Sequence, residues 1–240
     1  MTRRTPGLEE YLESLYKLSD GRAGHAVTTS ALASDLGVAP ASVTEMVKRL
    51  GEQGLVEHVP YKGASLTGVG LAEGATMVRN HRLWERFLVD ILGMNWDEVH
   101  PEACALEHAT SPHLAKHLAA FLLNPETCPH GYPLPAAAPD GSQAGGGGSP
   151  NAAGRFLADL EPGARGEVSA VVETPELLRY CAEAGLVPGT SVEVLSRHPV
   201  EPILEVRIGA SDQAPERRLS VGPRLGRCVR VRADQTSSPA

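Results

Sequence analysis

The first 75 residues constrain the fold most, because their spacing of apolar residues predicts three helices and a β-hairpin in a fixed order. From Leu8 to Leu18, apolar residues recur at three- and four-residue steps, which predicts an amphipathic helix. A short helix ends at Gly37 and another begins after Pro40. Two short strands then flank Pro60-Tyr61-Lys62-Gly63, and a long helix follows. This order predicts a winged helix-turn-helix.

A second feature is a tract rich in Gly, Ala, Pro and Ser, which predicts a flexible linker. Helical periodicity precedes it, whereas five short alternating strands with glycine turns follow it and predict a small antiparallel barrel of the SH3 type. The expected chain is mostly α with a small β-barrel. Its predicted parts are a winged-helix domain at 1–74, a helical domain at 75–135, the linker at 136–154 and the SH3-like domain at 155–234.

Composition excludes several classes of protein. No apolar run approaches the ~18–20 residues of a membrane span, so we expect a soluble protein with a cytoplasmic address and no membrane partner. The four cysteines are widely separated, form no CxxC and predict reduced thiols. The formal net charge is −7, with 22 basic and 29 acidic residues. Because no segment is basic, DNA binding has to rest on a local motif.

The helix after Pro40 is the expected DNA-reading element, because the second helix of such a motif enters the major groove by its amino-terminal residues. Hydroxyls there suit phosphates or base edges, and Lys and Arg add positive charge. An ordinary solvated helix face is the alternative for the basic pair. The residues expected to face DNA are Ala41, Ser42, Thr44, Glu45, Lys48 and Arg49, with Lys62 in the hairpin.

Six of the nine histidines fall between residues 81 and 130, which indicates a function for them. Cys104, Glu107 and His108 stand at i, i+3 and i+4, so a helix places thiolate, carboxylate and imidazole on one face. His81 and Glu85 are also one turn apart, and His100 precedes the first set, so a second set of donors can form. Packing in a helical core is the alternative.

Four sequence strings together resemble the diphtheria toxin repressor family, whose members are iron- or manganese-activated transcription regulators. The likeness runs from about residue 7 to 135 and more loosely through the carboxy-terminal barrel, which would then be of the FeoA type. The strings are Glu9-Glu10-Tyr11-Leu12, His81-Arg82-Leu83-Trp84-Glu85-Arg86-Phe87-Leu88, Val99-His100-Pro101-Glu102-Ala103-Cys104-Ala105-Leu106-Glu107-His108 and Cys128-Pro129-His130-Gly131-Tyr132-Pro133.

The resemblance implies two metal sites. The primary, activating site consists of Glu10, Cys104, Glu107 and His108. The ancillary site consists of His81, Glu85 and His100, with Glu173 and Glu176 from the barrel. Glu13 matches a further ligand of two-metal manganese regulators, and Arg82 matches a residue that helps to hold an anion.

The resemblance also implies partners and an ion. The chain is expected to bind operator DNA as a homodimer and to repress metal-uptake genes when its ion is bound. The carboxylate at Glu10 is typical of manganese-responsive members, and the thiolate of Cys104 is typical of iron-type members. Mn²⁺ is therefore the favoured ion and Fe²⁺ the second. Zn²⁺, Co²⁺ or Cd²⁺ can substitute in vitro. The apolar stripe predicted to form the dimer surface is Leu106, Leu114, Leu118, Phe121 and Leu122.

Two other functions remain open at this point. A winged-helix regulator that needs no metal would use the histidines for packing. A metalloenzyme is the less favoured alternative, because the sequence has no HExxH, nucleophile elbow or phosphate loop, and we expect the chain not to be an enzyme. His113 and His117, one turn apart, are interpreted as exposed helix histidines and are left outside both sites.

Overall fold

A computed structural model of the protein describes residues 6–59, 61–136, 154–172, 174–209 and 217–233. The amino-terminal half contains six helices and one hairpin among its described residues. They are α1 (Pro6–Leu18), α2 (Thr29–Leu36), α3 (Pro40–Glu52), β1 (Val56–Val59), β2 (Gly63–Leu66), α4 (Gly68–Asp90), α5 (Val99–Glu107) and α6 (Pro112–Phe121).

The helix-turn-helix has the ends that its sequence predicts. The Thr28 side chain caps α2 by accepting a hydrogen bond from the Ala31 amide at 3.2 Å. Gly37, at φ 64°, ends α2 in the left-handed conformation that glycine adopts without strain. Pro40 then occupies the first turn of α3, where its missing N–H costs nothing. The tight turn between α2 and α3 is therefore set by local chemistry.

The hairpin is attached to the helices through backbone hydrogen bonds as well as apolar packing. β1 and β2 pair in antiparallel register from Val56↔Leu66 to Val59↔Gly63. Val27 and Ala64 exchange backbone hydrogen bonds of 2.7 and 2.9 Å. Leu12, Leu15 and other apolar residues of α1 lie in the same buried cluster as residues of α3 and the hairpin. The predicted winged helix-turn-helix is confirmed.

The chain divides into two compact units, and each is described by itself. The first contains the chain up to Phe87, Glu102–Glu126 and the stretch that begins at Leu134. The second contains Leu88–Pro101, Thr127–Pro133 and the chain after Pro150.

The second unit contains the β domain. Its elements are β3 (Arg155–Phe156), a 3-10 helix (Leu157–Asp159), β4 (Arg165–Val171), α7 (Pro175–Ala184), β5 (Ser191–Arg197), β6 (Leu204–Ile208), β7 (Arg217–Val221), α8 (Pro223–Gly226) and β8 (Val229–Ala233). The strands form one antiparallel sheet in the order β3-β8-β4-β5-β6-β7. Alternate residues such as Val192, Val194 and Val206 fill its core. The five predicted strands are present, and β3 is too short to show an alternating pattern in sequence.

Some predicted features differ from the structure or lie outside it. Leu118 is buried within its own chain, so its place in the predicted dimer surface is wrong, whereas Leu114 and Phe121 are exposed. Most of the predicted linker lies outside the described residues. The predicted domain boundaries stay predictions. Among the described helices, none is both long and apolar enough to cross a membrane.

Two glycines provide a matched test of the packing between α4 and the hairpin. A Cβ added at Gly70 would lie 1.9 Å from the Leu55 carbonyl oxygen, whereas a Cβ at Gly7 of α1 would meet nothing within 4 Å. We expect Gly70→Ala to destabilise the protein by about 1–3 kcal/mol through overpacking. Gly7→Ala should instead stabilise it by about 0.5–1 kcal/mol through helix propensity. Calorimetric unfolding measures both, and equal effects of the two substitutions would contradict this packing.

Candidate metal centre

Three helices bring acidic, imidazole and thiol groups together inside the first unit. Glu13 from α1, His81 from α4 and Glu107 from α5 each offer a ligand atom, and these atoms lie within 4.8 Å of one another. Glu13 is 7% exposed, His81 0% and Glu107 1%. Charged groups with so little exposure are rare in proteins unless they are paired or hold an ion.

The ring of His81 lies at the middle of this cluster. Its Nδ1 is 2.6 Å from Glu107 Oε2, 3.8 Å from Cys104 Sγ and 4.0 Å from Glu13 Oε1. Its Nε2 is 3.1 Å from Oε1 of Glu85, one turn further along α4. Each ring nitrogen therefore faces a carboxylate oxygen at hydrogen-bonding distance.

Burial and hydrogen bonding act in opposite directions on the protonation of this cluster. Burial by itself lowers the pKa of His81, but hydrogen bonds with Cys104, Glu107 and Glu85 outweigh it and hold that pKa well above its usual value. Burial raises the pKa of Glu107, although its hydrogen bond to His81 opposes this. The surroundings thus favour the protonated forms of both His81 and Glu107, and an incoming cation would have to displace a proton from the pair.

The donor set fits a divalent cation. Glu107 Oε1 is buried, and among the described residues no hydrogen bond satisfies it. Carboxylates with one imidazole suit Mn²⁺ and Fe²⁺, and a nearby thiolate adds affinity for softer ions. The residues present can therefore hold such an ion, with Glu13, His81 and Glu107 as the donors already in place.

A second contact joins α1 to His108, the residue that directly follows α5. His108 Nδ1 is 2.6 Å from Glu9 Oε2, and each side chain is 19% exposed. A carboxylate oxygen accepts this hydrogen bond, so Nδ1 donates it and Nε2 is the ring nitrogen that faces away from Glu9. That nitrogen is 3.6 Å from Glu107 Oε1, the oxygen without a hydrogen bond. Glu9 therefore orients His108 toward the cluster.

The structure brings three residues of the predicted primary site close together, and the site itself stays a prediction. Cys104, Glu107 and His108 lie around this cluster, as their helical spacing predicted. Glu10, however, is exposed, and the α1 carboxylates that contact the cluster are those of Glu9 and Glu13. Sequence reasoning gave Glu13 a secondary place and missed Glu9. Their i, i+4 spacing, which puts both on one side of α1, was the available signal.

The predicted ancillary site is divided between the two units. His81 and Glu85 are buried in the first unit, where they contact each other. His100 lies on α5 in the second unit, Glu176 is exposed in the first turn of α7, and Glu173 lies outside the described residues. The ancillary set stays a prediction. Arg82, matched to an anion site, is buried on α4.

The predicted DNA-reading face of α3 is at the surface. Val43 and Leu50 of the same helix are fully buried, which fixes the rotation of α3 and turns the opposite side outward. The exposed residues are Ala41, Ser42, Thr44, Glu45, Lys48, Arg49 and, in the hairpin turn, Lys62. The Thr44 hydroxyl donates a hydrogen bond to the Pro40 carbonyl at 3.1 Å. These exposures agree with the predicted interface without testing it.

Sequence reasoning also passed over Tyr61 at the tip of the hairpin. Its side chain is fully exposed to solvent, and its backbone φ of 61° lies in the left-handed region. Glycine or asparagine usually occupies such a turn position, because a side chain there adds strain. Neither burial nor hairpin geometry accounts for a tyrosine at this point.

Family comparisons cover nearly the whole described chain. Residues 4–64 match the amino-terminal DNA-binding domain of iron-dependent repressors. Residues 67–136 match the metal-binding and dimerisation domain of the same repressors. Residues 156–233 match the FeoA domain.

Individual proteins show the same likeness. The iron-dependent repressor IdeR of Mycobacterium leprae is 32% identical over 197 residues, which cover 78% of this chain and 82% of that protein. A solved manganese-dependent transcriptional repressor in complex with manganese has a TM-score of 0.81 and 32% identity, and covers 94% of this chain and 99% of its own. The structure of the manganese regulator SloR matches with a TM-score of 0.74 and 26% identity. The match covers 96% of this chain and 100% of the SloR chain.

The raised pKa of His81 predicts opposite effects of pH on the metal-free and metal-loaded protein. A group whose pKa is raised by folding stabilises the folded state at pH values below its pKa in the unfolded chain. This stabilisation is lost as the pH rises through its pKa in the folded protein. Ion binding needs the deprotonated cluster and strengthens with pH. We therefore expect the rise in Tm on adding Mn²⁺ to grow between about pH 6 and 8. Scanning calorimetry with Mn²⁺ or chelator measures this rise, and a pH-independent rise would contradict it.

Proposed function

This chain belongs to the iron-dependent repressor family and is a metal-dependent, DNA-binding transcriptional regulator rather than an enzyme; from that premise we propose that its activating ion binds between α1, α4 and α5. The observation that carries the proposal is the convergence of Glu13, His81 and Glu107 from these three helices. α1 packs within the winged-helix core, so a ligand on α1 connects the ion to the DNA-reading head.

The chain's own residues provide the coupling. A bound divalent ion supplies the positive charge that compensates the buried carboxylates. Without it, Glu13 depends on Lys17 at 2.8 Å and Glu107 on His81 at 2.6 Å for opposite charge, and the repulsion between the two carboxylates weakens the attachment of α1. We infer that Cys104, Glu107 and His108 act as ligands from α5, that Glu13 is the α1 ligand, and that Glu9 positions His108.

His81 and Glu85 have distinct proposed roles. Nδ1 of His81 faces Glu107, Cys104 and Glu13, so it is the nitrogen that would lose its proton to a metal. Nε2 faces Glu85 and keeps its proton. A carboxylate that accepts the second N–H of a ligand histidine fixes the tautomer and raises ligand basicity. Glu85 therefore supports this site, and its predicted role in the ancillary site with His100 and Glu176 is the alternative.

We favour Mn²⁺ as the physiological ion, with Fe²⁺ second. Two carboxylates and one imidazole at the centre of the cluster make a predominantly hard donor set, and Cys104 at 3.8 Å from His81 adds a softer donor at its edge. Structural neighbours include one complex named for manganese and others named for Cd²⁺ and Zn²⁺, which supports substitution by those ions. Co²⁺ should substitute for the same reason.

The proposed activity is repression of metal-uptake genes by a cytoplasmic homodimer. The α3 heads of a dimer would enter successive major grooves of the operator about 34 Å apart. Exposed hydroxyls and basic residues of α3, with Lys62 of the hairpin, would make the contacts. Exposed Leu114 and Phe121 remain candidates for the dimer surface.

Tyr61 adds a proposed DNA contact. It is fully exposed, adjoins Lys62 and belongs to the hairpin attached to the α2–α3 pair. Backbone strain and an exposed aromatic ring at one position are typical of a residue whose side chain binds another molecule. Tyrosine hydroxyls donate to DNA phosphates, and the ring can pack on the sugar. We infer that Tyr61 contacts the operator backbone beside the groove that α3 enters.

Substitutions on α1 test which carboxylate is the ligand. We expect Glu13→Gln to raise the Mn²⁺ concentration needed for operator binding roughly tenfold or more, since it removes a charged donor. Glu107→Gln should do the same. The control is Glu10→Gln, an equal change on an exposed residue of the same helix, which should have little effect. Fluorescence anisotropy with labelled operator measures the response.

The opposite pattern would contradict the assignment. If Glu10→Gln abolished the Mn²⁺ response while Glu13→Gln preserved it, Glu10 would be the α1 ligand. If equal operator affinity were found with Mn²⁺ and with excess chelator, the metal-dependent mechanism itself would be wrong.

Substitutions at Tyr61 separate folding from DNA binding. Tyr61→Gly removes the strain at φ 61° and should raise the Tm of the metal-loaded protein by about 2–4 °C. The same change should weaken operator binding about tenfold, since it removes a charge-assisted hydrogen bond. Tyr61→Phe should lose the hydroxyl contribution alone. Unchanged operator affinity in both variants would show that Tyr61 does not contact DNA.

A further inference from the structure

Outside the buried cluster, α6 carries two exposed histidines that face the same way. His113 and His117 are one helical turn apart, and their ring centroids are 4.3 Å apart with an interplanar angle of 49°. Both side chains are exposed. The pair is distinct from the proposed activating site, which uses neither residue.

The helix that carries the pair has a well-defined start. The Ser111 side chain caps α6 by accepting a hydrogen bond from the Leu114 amide at 3.2 Å, and Pro112 occupies the first turn. Leu118 and Ala119 are buried and fix the rotation of α6. The spacing between His113 and His117 is therefore held by a packed helix.

Hydrogen bonding determines which nitrogen of His117 is available. Its Nδ1 is 2.9 Å from the backbone carbonyl oxygen of His113. A carbonyl only accepts hydrogen bonds, so Nδ1 must carry the proton. In the neutral ring the lone pair is then on Nε2. A ligand histidine is commonly oriented in this way, with its other N–H donated to a backbone carbonyl.

The two rings can reach one ion with small rotations of the side chains. Zinc–imidazole bonds are about 2.0–2.1 Å long, so two ligand nitrogens at one ion are separated by roughly 3–3.5 Å. Rings whose centroids are 4.3 Å apart satisfy this after χ rotation, which is fast for exposed side chains.

The chemistry of the pair selects a class of ion. Imidazole suits Cu²⁺, Ni²⁺ and Zn²⁺, whereas Mn²⁺ prefers oxygen donors and binds most weakly in the first-row series. The neighbouring exposed Lys116 repels cations, but this interaction is screened by salt at the surface. The pair therefore prefers ions other than the one favoured at the carboxylate-rich buried cluster.

We propose that His113 and His117 form a surface chelate for Ni²⁺, Cu²⁺ or Zn²⁺, separate from the activating site. Two imidazoles fill only part of the coordination shell, so water occupies the other positions and exchange is fast. The first unit then has two sites of different chemistry: a buried one with carboxylates for the hard ion, and an exposed one with imidazoles for borderline ions.

Nickel binding to the full-length protein tests the proposal. Equilibrium dialysis with Ni²⁺ would compare wild type, His113→Gln, His117→Gln and the double variant, with His25→Gln as the control at a single exposed histidine. Each single α6 variant should weaken the Ni²⁺ affinity of this site by roughly 100-fold, because either ligand alone loses the chelate effect. His25→Gln should leave the affinity unchanged, and Mn²⁺ binding should be the same in all variants.

Site-specific spectra make the outcome unambiguous. In ¹⁵N-histidine spectra, Zn²⁺ should shift the ring signals of His113 and His117 together, and the double variant should bind one Ni²⁺ equivalent fewer than wild type. The proposal is overturned if wild type and double variant bind Ni²⁺ identically. It is also overturned if only one of the two rings responds to Zn²⁺, since this would indicate binding to a single histidine.

Discussion

The structure depends above all on how the buried charges around His81 are balanced. Glu13, Glu85 and Glu107 approach a single imidazole ring, and Glu85, Glu107 and that ring are less than 2% exposed. Lys17 pairs with Glu13 at 2.8 Å, while Glu85 and Glu107 share the His81 ring at 3.1 and 2.6 Å, so the cluster is held by charges that depend on close partners. In the proposed site, a divalent cation would supply further positive charge to carboxylates that are already in position. In the proposed mechanism, metal binding and the attachment of α1 are one physical event rather than two linked events.

This arrangement explains how a small ion can act on a distant surface. α1 contributes Glu13 to the cluster, while its apolar residues Leu12 and Leu15 pack in the same core as α3. The hairpin joins the same body through Val27 and Ala64. α1, α3 and the hairpin thus form one packed body, so a constraint at one carboxylate of α1 would reach the predicted DNA-reading face through close packing.

Most of the fold could be predicted from sequence because its signals are local. The cap at Thr28, the left-handed Gly37 and the proline at the start of α3 specify the helix-turn-helix within a dozen residues. The grouping of the proposed ligands on and just after α5 was also predictable, since a helix puts residues four apart on one face. The two-residue strand β3 was not, because it forms only by pairing with β8 from the other end of the domain.

The identity of the α1 carboxylate could not be obtained in that way. Neighbouring residues Glu9 and Glu10 differ by about 100° around a helix. Which of them faces α5 is decided by the rotation of α1, and hence by the burial of Leu8, Leu12 and Leu15. The contact from Glu9 to His108 spans 99 positions in the chain, a separation at which spacing carries no information. The sequence match pointed to Glu10, whereas in the structure Glu9 and Glu13 are the α1 carboxylates that contact the cluster.

Anomalous diffraction at the manganese edge, from crystals of the protein grown with Mn²⁺, tests this account most directly. It predicts a peak bounded by the Glu13 carboxylate, the Nδ1 of His81 and the Glu107 carboxylate, with the Glu85 carboxylate still on Nε2. A peak elsewhere, with Glu107 still hydrogen-bonded to His81 and Glu13 turned away from both, would contradict it.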